Sequence, residues 1–222
     1  MSFALKLSGR SGCEIGLVSR NERLVVRKYA KNVAYNKRLL QQANKQSQFS
    51  THFTSGFFAV PKIIDSYPGS NDELAWIEME YVHAEKYSDF LERISVPDLI
   101  VLASTIRDYF EKALLNSRLE QLNNSVFIEK REILAEQLIG VKGLNQDLLN
   151  KTFLYLKNVP SYPIAIGYCH GDFTFSNILF EKNVCYLIDF LDSFVESPIQ
   201  DIVKFRQDTF YGWSMMLEED MT

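Results

Sequence analysis

Short runs of alternating apolar and polar residues dominate the first eighty residues of the chain, and this pattern predicts half-buried β-strands. The runs GLVSR and RLVVRKYA enclose a polar turn and predict a β-hairpin. AVPKIIDSY and ELAWIEMEYV predict two further strands, because residues typical of turns separate them. Between these pairs, AYNKRLLQQANKQ has little β-branching and predicts one helix.

After about residue 86 the apolar residues recur three and four positions apart, which is the spacing of one helix face. VPDLIVLASTIRDYFEKALL predicts a helix of several turns, and FIEKREILAEQLIG and QDLLNKTFLYLKNV predict two more. SPIQDIVKFRQDTFYGW predicts a helix capped by Ser197, with Pro198 in its first turn. A strand-rich front followed by a helix-rich back predicts an α+β fold with two lobes and a cleft between them.

The segment CHGDFTFSNILFEKNVCYLIDF, residues 169–190, places three oxygen-bearing side chains among apolar neighbours. Asp172, Asn177 and Asp189 are expensive to bury unless each is paired. Carboxylate and amide oxygens are ligands that Mg²⁺ prefers, so Asn177 and Asp189 are candidates to hold a magnesium ion that carries a nucleotide phosphate. Asp172 would then face an acceptor hydroxyl, orient it and take its proton.

The motif HGDFTFSN has the form H-G-D-x-x-x-x-N, and LIDF follows it after a short predicted hairpin. This pattern resembles that of the aminoglycoside phosphotransferase and choline kinase family, which shares the protein-kinase fold. The resemblance implies that Asp172 is the catalytic base, Asn177 a magnesium ligand and Asp189 the principal magnesium ligand. It also implies that His170 and Gly171 shape the catalytic loop.

The same resemblance implies a division into a nucleotide-binding lobe, residues 1–82, and a catalytic lobe, residues 83–222, with a hinge at about residues 80–86. Adenine would bind to backbone groups around Glu80, Tyr81 and Val82. Asp201 occupies the first turn of a predicted helix, where such families carry an acid that holds the backbone of the catalytic loop. Compensation of the helix dipole is the alternative reason for an acid at this place.

The phosphates of the nucleotide require a glycine-spaced turn and a cation. SGRSGCEIG is a candidate for the turn, since glycine lets backbone N–H groups approach an anion. Strand alternation places Arg27 and Lys28 on opposite faces, so only one of them can point into the cleft. The choline kinase pattern favours Arg27 and the protein-kinase pattern permits Lys28, so both remain candidates.

Two features depart from the family pattern. The helix that should carry a glutamate partner for this cation contains no Asp or Glu, and Gln41 or Gln42 is the available substitute. The sequence also has only about thirty residues after Asp189. Either residues 87–160 build the acceptor pocket, or the protein is minimal, or the chain is truncated.

Composition narrows the function classes. The net charge of -4 predicts no nucleic-acid partner, and without a run of 18 apolar residues we expect no membrane span. The three cysteines form no CxxC pair, which argues against a zinc site or a disulfide framework and favours the cytoplasm. The sequence carries no indication of oligomeric state.

Together these features predict an enzyme that uses ATP and Mg²⁺ to phosphorylate a hydroxyl of a small-molecule acceptor: an amino-alcohol, a sugar or an aminoglycoside. A kinase-like nucleotide-binding module without turnover is the alternative, motivated by the missing helix acid and the short tail. A protein kinase ranks lowest, because HGD replaces HRD and no glycine follows Asp189-Phe190.

Overall fold

The structure is a computed structural model that describes residues 3–7, 12–53, 58–181, 184–193 and 195–219. Its strands are β1 (Leu5–Leu7), β2 (Glu14–Arg20), β3 (Arg23–Tyr29), β4 (Phe58–Ala59), β5 (Ile63–Tyr67), β6 (Trp76–Glu80), β7 (Arg118–Leu122), β8 (Tyr162–Ile166), β9 (Ile178–Glu181) and β10 (Val184–Leu187). Its α-helices are α1 (Asn36–His52), α2 (Tyr87–Arg93), α3 (Val96–Leu115), α4 (Ser125–Gln137), α5 (Gln146–Asn158), α6 (Pro198–Tyr211) and α7 (Trp213–Glu219).

An antiparallel sheet of five strands, in the order β1-β2-β3-β6-β5, forms the front of the molecule. The predicted hairpin is its centre: β2 and β3 pair in a continuous register and turn through Asn21 and Glu22. Both turn residues have positive φ, 48° and 64°, as the tight hairpin turns that match strand twist require. Helix α1 packs on this sheet through a buried apolar cluster that includes Leu39, Ala43 and Ile77.

A larger aromatic core lies behind the sheet. Phe173, from the catalytic motif, stacks on Tyr109 of α3 with ring centroids 5.0 Å apart. Phe49 of α1 and Phe190, which follows Asp189, belong to the same cluster, as does Phe58 of β4. The core therefore joins the motif segment to α1 and α3, which holds the segment in one place relative to the front sheet.

The hairpin of β9 and β10 carries the segment between Asn177 and Asp189. It extends into a three-stranded sheet, because the short strand β4 pairs in parallel with β10. A piece of chain that precedes β6 is thus hydrogen-bonded to the strand that ends just before Asp189. This pairing anchors the motif hairpin to the segment that links α1 with the front sheet.

The front sheet and the helical back confirm the predicted α+β class, and Ser197 caps α6 as expected by accepting a hydrogen bond from the Ile199 N–H. The sequence pattern did not predict α2, α7 or the small antiparallel sheet of β7 and β8. These elements are short and lack a clear period, so their partners rather than their own pattern define them. None of the described helices combines the length and the apolar character needed to span a membrane.

Candidate active site

A cavity of about 520 Å³ lies between the front sheet and the catalytic motif. Its front wall includes Ile15, Val26 and Met79, and its back wall includes Ile178 and Ile188. The walls are thus apolar on both sides, as a flat heteroaromatic ring requires. Its polar lining includes the predicted site residues Lys28, Asn177 and Asp189.

Of the two candidate cations, Arg27 and Lys28, it is Lys28 that lines this cavity. Its Nζ lies 2.9 Å from Oδ1 of Asp189, and its side chain is only 6% exposed. Burial by itself would lower the pKa of this ammonium, but the attraction of Asp189, its hydrogen bond and further nearby groups together raise the pKa above its ordinary value. Lys28 therefore remains a charged ammonium beside Asp189.

The side chain of Arg27 lies on the face of β3 opposite to that of Lys28, as strand alternation requires. Its Nε donates a hydrogen bond of 2.9 Å to Oε1 of Glu78, and its guanidinium lies 4.7 Å from the centre of the Trp76 ring. Glu78 is 1% exposed and is also contacted by Arg20. The structure thus brings Lys28 to Asp189 and places Arg27 in an ion-pair cluster on the other side of the sheet.

Asp172 and Asn177 meet within the catalytic loop. Nδ2 of Asn177 donates to both the backbone oxygen and Oδ2 of Asp172, at 2.9 and 3.0 Å. The backbone oxygen of Asn177 accepts a hydrogen bond from the Ile188 N–H at 3.0 Å, which ties the loop to the residue before Asp189. These bonds bring the three motif side chains to one end of the β9–β10 hairpin.

Two residues at the same place, Asp189 and Gly171, have a positive φ. Asp189 has φ of 58°, a left-handed conformation that residues other than glycine adopt at some energetic cost. Gly171 has φ of 93°, and a Cβ there would lie 2.4 Å from the Leu191 backbone oxygen. The HGD sequence therefore needs glycine at its second position, because the segment after Asp189 runs directly beside it.

His170 is fully buried and holds the loop by both ring nitrogens. Nε2 lies 2.8 Å from the Ile188 backbone oxygen, and Nδ1 accepts a hydrogen bond from the Asp172 N–H at 3.2 Å. Together these bonds require the neutral ring with its proton on Nε2. Burial lowers the pKa of His170, so the neutral form is favoured at physiological pH.

Asp201, in the first turn of α6, binds the backbone of the catalytic loop. Its two oxygens accept hydrogen bonds from the N–H groups of His170 and Gly171, at 2.6 and 2.7 Å, and Tyr109 donates a third bond at 2.7 Å. Burial raises the pKa of this carboxyl, while its three donors favour the ionised form. Asp201 therefore connects α6, α3 and the loop.

The predicted hinge residues Glu80, Tyr81 and Val82 line the cavity that contains Lys28 and Asp189. They also line a second cavity of about 830 Å³, together with Arg20, Lys62 and other residues. This larger cavity contains none of the HGDFTFSN side chains, so the smaller one is the candidate nucleotide site. The first four residues of the glycine-spaced turn, 8–11, lie outside the described residues.

Helix α1 carries no acid towards Lys28, and Gln42 instead donates a hydrogen bond to the Tyr35 hydroxyl. The helix contacts the segment after Asp189 with basic side chains. Lys45 Nζ lies 2.6 Å from Glu196 Oε2 and 2.7 Å from the Leu191 backbone oxygen, and Arg38 Nε lies 2.8 Å from Asp192 Oδ1. The sequence pattern did not predict these links.

A further contact was missed as well. Lys204 Nζ of α6 lies 3.0 Å from Oδ1 of Asp172. The spacing of Lys204, three residues after Asp201, places both on one face of α6 and was the available signal. The seven-residue spacing of Arg38 and Lys45 likewise places those two side chains on one face of α1.

Sequence comparison identifies the family of the chain. The model of the phosphotransferase enzyme family matches residues 14–219, nearly the whole of the chain. The chain belongs to this family. No curated protein sequence matches the chain.

Solved structures of two kinds of phosphotransferase share the fold. The aminoglycoside phosphotransferase APH(4)-Ia, as a thermostable mutant without ligand, is 12% identical with a TM-score of 0.58, over 89% of this chain and 70% of that one. A variant of that enzyme in a ternary complex with ADP and hygromycin B is 13% identical with the same TM-score, over 90% and 70%.

The third structure is a choline/ethanolamine kinase family protein from Mesorhizobium loti, 13% identical with a TM-score of 0.52, over 90% of this chain and 62% of that one. At these identities the likeness concerns the fold. It confirms the two-lobed kinase-like fold and the resemblance read from the motif.

The residues of this family member fit a magnesium ion that arrives with a nucleotide. Asp189 contributes a carboxylate and Asn177 an amide oxygen, and both line one cavity. Among the described residues no group of three or more His, Cys, Asp or Glu is arranged to hold a metal ion. Magnesium usually binds through one or two protein oxygens, with phosphate and water oxygens as its other ligands, so this small donor set is sufficient.

Proposed function

We propose that the protein transfers the γ-phosphoryl group of ATP to a hydroxyl of a small molecule. The observation that carries the proposal is one cavity between sheet and motif that is lined by the Lys28–Asp189 pair and by Asn177, whose amide binds Asp172. A cation, two oxygen donors for a metal and a carboxylate base are the set that phosphoryl transfer needs. Family membership supports the same reaction class.

In this proposal the front lobe, residues 1–82, binds the nucleotide, and the back lobe, residues 83–222, performs the transfer. Adenine lies between the apolar walls, next to backbone groups of Glu80, Tyr81 and Val82, which line the cavity. Lys28 contacts the phosphates, and Asn177 and Asp189 hold Mg²⁺. When bound, the ion neutralises charge that develops on the phosphoryl oxygens and the leaving diphosphate.

Asp172 orients the acceptor hydroxyl towards the γ-phosphorus and accepts its proton. The hydroxyl oxygen forms the new bond to phosphorus while the bond to the ADP oxygen breaks, so the products are a phosphate monoester, ADP and a proton. His170, Gly171 and Asp201 maintain the loop that presents Asp172. We expect such proton transfer and orientation to contribute roughly a hundred- to ten-thousandfold in rate.

The acceptor is a small molecule with a free hydroxyl, and an amino-alcohol, a sugar or an aminoglycoside is the proposed class. One structural neighbour is described in a complex with hygromycin B, and another belongs to the choline/ethanolamine kinase family. We propose a cytoplasmic enzyme without a nucleic-acid or membrane partner, since the net charge is -4 and ATP is an intracellular nucleotide.

The test combines binding and turnover. We expect purified protein to bind ATP in calorimetry only with Mg²⁺ present, and mass spectrometry with a panel of amino-alcohols, sugars and aminoglycosides to detect a product heavier by one phosphoryl group. Asp189→Ala should abolish Mg²⁺-dependent binding, whereas Asp147→Ala, on exposed helix α5, should leave it intact. Absence of ATP binding in the unaltered protein, or binding that Asp189→Ala leaves unchanged, contradicts the proposal.

A second function, nucleotide binding without turnover, is favoured by one observation. Helix α1 offers Lys28 no acidic partner, and Lys28 instead pairs with Asp189, the proposed metal ligand. If this pairing persists with nucleotide bound, the metal loses its principal ligand. Mg²⁺-dependent ATP binding with no product across the acceptor panel supports this function, and phosphorylation that Asp172→Asn lowers about a hundredfold or more excludes it.

A further inference from the structure

Helix α6 holds the catalytic loop at more than one point. Asp201 accepts hydrogen bonds from the N–H groups of His170 and Gly171, and Nε2 of Gln200 donates to the Gly171 backbone oxygen at 2.8 Å. The hydrogen bonds of Asp201 and Gln200 therefore hold the loop backbone in place. One turn further along the helix, Lys204 contacts the side chain of the next loop residue, Asp172.

The two oxygens of Asp172 have different partners. Oδ2 accepts a hydrogen bond from Nδ2 of Asn177 at 3.0 Å, and Oδ1 lies 3.0 Å from Nζ of Lys204. A carboxylate with one oxygen bound can still rotate about its Cβ–Cγ bond, whereas a carboxylate bound at both oxygens has one orientation. Asn177 and Lys204 together therefore determine the plane of the Asp172 carboxylate.

The pair is partly shielded, with side-chain exposures of 25% for Asp172 and 34% for Lys204. An ion pair in such a place adds little to stability, because solvent screens the attraction and ordering the lysine costs entropy. Its consequence for a reaction is larger, because a misplacement of about 1 Å at a reacting group is sufficient to lower a rate about a hundredfold.

We propose that Lys204 is a positioning residue for the phosphoryl-transfer reaction and acts through Asp172. Its ammonium holds Oδ1, so that the carboxylate presents a fixed lone pair to the acceptor hydroxyl. This inference rests on the proposed function, in which Asp172 is the base. Asp201 and Lys204 then divide the task on one helix face, the first placing the loop backbone and the second orienting its functional side chain.

The experiment is a double-mutant cycle on ATP turnover, measured with an acceptor from the panel or with water as the acceptor. Lys204→Met should lower kcat roughly ten- to hundredfold, leave the Kd of MgATP within twofold and leave Tm nearly unchanged. Lys204→Arg should recover most of kcat, because it restores a cation. Lys112→Met, at an exposed lysine on α3, is the matched control and should leave kcat, the Kd of MgATP and Tm unchanged.

The cycle is completed in an Asp172→Asn background. Because Lys204 acts through the carboxylate, Lys204→Met should cause no further loss of kcat there. An equal loss in both backgrounds overturns the proposal, as does a kcat within twofold of the unaltered protein or an arginine variant as slow as the methionine variant.

A measurement that does not need turnover separates this inference from the proposed function. In a crystal structure of the Lys204→Met variant, the Asp172 carboxylate should rotate away from the orientation it has in the unaltered protein. If the orientation is unchanged, the positioning role is wrong, even for a protein that transfers phosphate. If the carboxylate rotates but the unaltered protein turns over no ATP, the positioning role stands and the proposed function fails.

Discussion

Lys28 Nζ lies 2.9 Å from Asp189 Oδ1, which joins β3 of the front sheet to the residue after the β9–β10 hairpin across 161 positions of sequence. The lysine is buried and the carboxylate is partly exposed, so the pair opens towards the cavity. A phosphate group with its metal ion competes for both partners at once, since phosphate attracts the ammonium and the metal attracts the carboxylate. In the proposed function, this pair is the place where MgATP is recognised.

Replacing Lys28 tests this assignment directly. We expect Lys28→Met to lower kcat/KM for ATP roughly a hundredfold, because a desolvated donor aimed at phosphate oxygens is lost. Steady-state kinetics with varied ATP is the measurement. Lys31→Met, an exposed lysine two residues after β3, is the control, and a similar loss in that variant contradicts a specific role for Lys28.

Replacing Arg27 should affect stability more than nucleotide use. Arg27→Met removes both hydrogen bonds that Arg27 donates to the buried carboxylate of Glu78, and we expect the free energy of unfolding to fall by about 1–3 kcal/mol. Urea denaturation measures this change, and KM for ATP should stay within about threefold. A large rise in KM with little loss of stability would instead make Arg27 the phosphate-binding cation.

Asp201→Asn should weaken the loop without touching substrate. The amide can accept fewer of the bonds that His170, Gly171 and Tyr109 donate, and its own N–H₂ group points a donor at other donors. We expect a loss of about 1.5–3 kcal/mol in the free energy of unfolding, together with a lower kcat. Asp98→Asn, at the exposed start of α3, is the control. Unchanged stability in Asp201→Asn argues against its role in the loop.

His170 should make stability fall at acid pH. The unfolded chain binds a proton on His170 near its ordinary pKa of about 6.5, whereas burial lowers the pKa in the folded protein. Between these pKa values the unfolded state holds more protons, so stability is fully present above pH 6.5 and declines as pH falls below it, by up to about 1.4 kcal/mol per pH unit.

Urea denaturation from pH 7.5 to 5 should therefore show a smaller slope for His170→Gln than for the unaltered protein. His83→Gln removes an exposed imidazole and serves as the control. If His170→Gln keeps the full slope, the decline at acid pH comes from other groups.

The basic contacts of α1 should differ in strength. Lys45 is mostly buried and reaches Glu196 and the Leu191 backbone oxygen, whereas Arg38 and Asp192 are both exposed. We expect Lys45→Met to lower the free energy of unfolding by about 1–3 kcal/mol and Arg38→Met by less than about 1 kcal/mol. Thermal or urea unfolding of the two variants gives the comparison, and equal effects would contradict it.

The HGDFTFSN loop was recognisable in sequence because the interactions that shape it are local. Gly171 must be glycine for its positive φ and for the close approach of Leu191, and Asp172 and Asn177 are joined by hydrogen bonds within five residues. The hairpin of β2 and β3 was equally visible, since alternation and a polar turn specify it over a short stretch. Such features are encoded in neighbouring residues and need no knowledge of the rest of the fold.

Neighbouring residues in the sequence could not decide whether Arg27 or Lys28 faces the cleft. The alternation of a strand predicts that the two side chains point to opposite faces, but it does not say which face borders the cleft. That is decided by the packing of α1 on one face and by the position of Glu78 and Trp76 on the other. The sequence places Lys204 on the same face of α6 as Asp201, but its contact with Asp172 could not be predicted, because that contact depends on where α6 lies against the loop.

The sequence by itself therefore determined the α+β class, the loop that carries Asp172 and Asn177, and the place of Asp189 after a hairpin. Only the tertiary structure decided which cation faces Asp189, that α1 contacts the following segment with Lys45 and Arg38, and that Lys204 binds Asp172. The physical reason is that backbone preferences act over a few residues, whereas ion pairs between distant segments arise from the packing of whole elements.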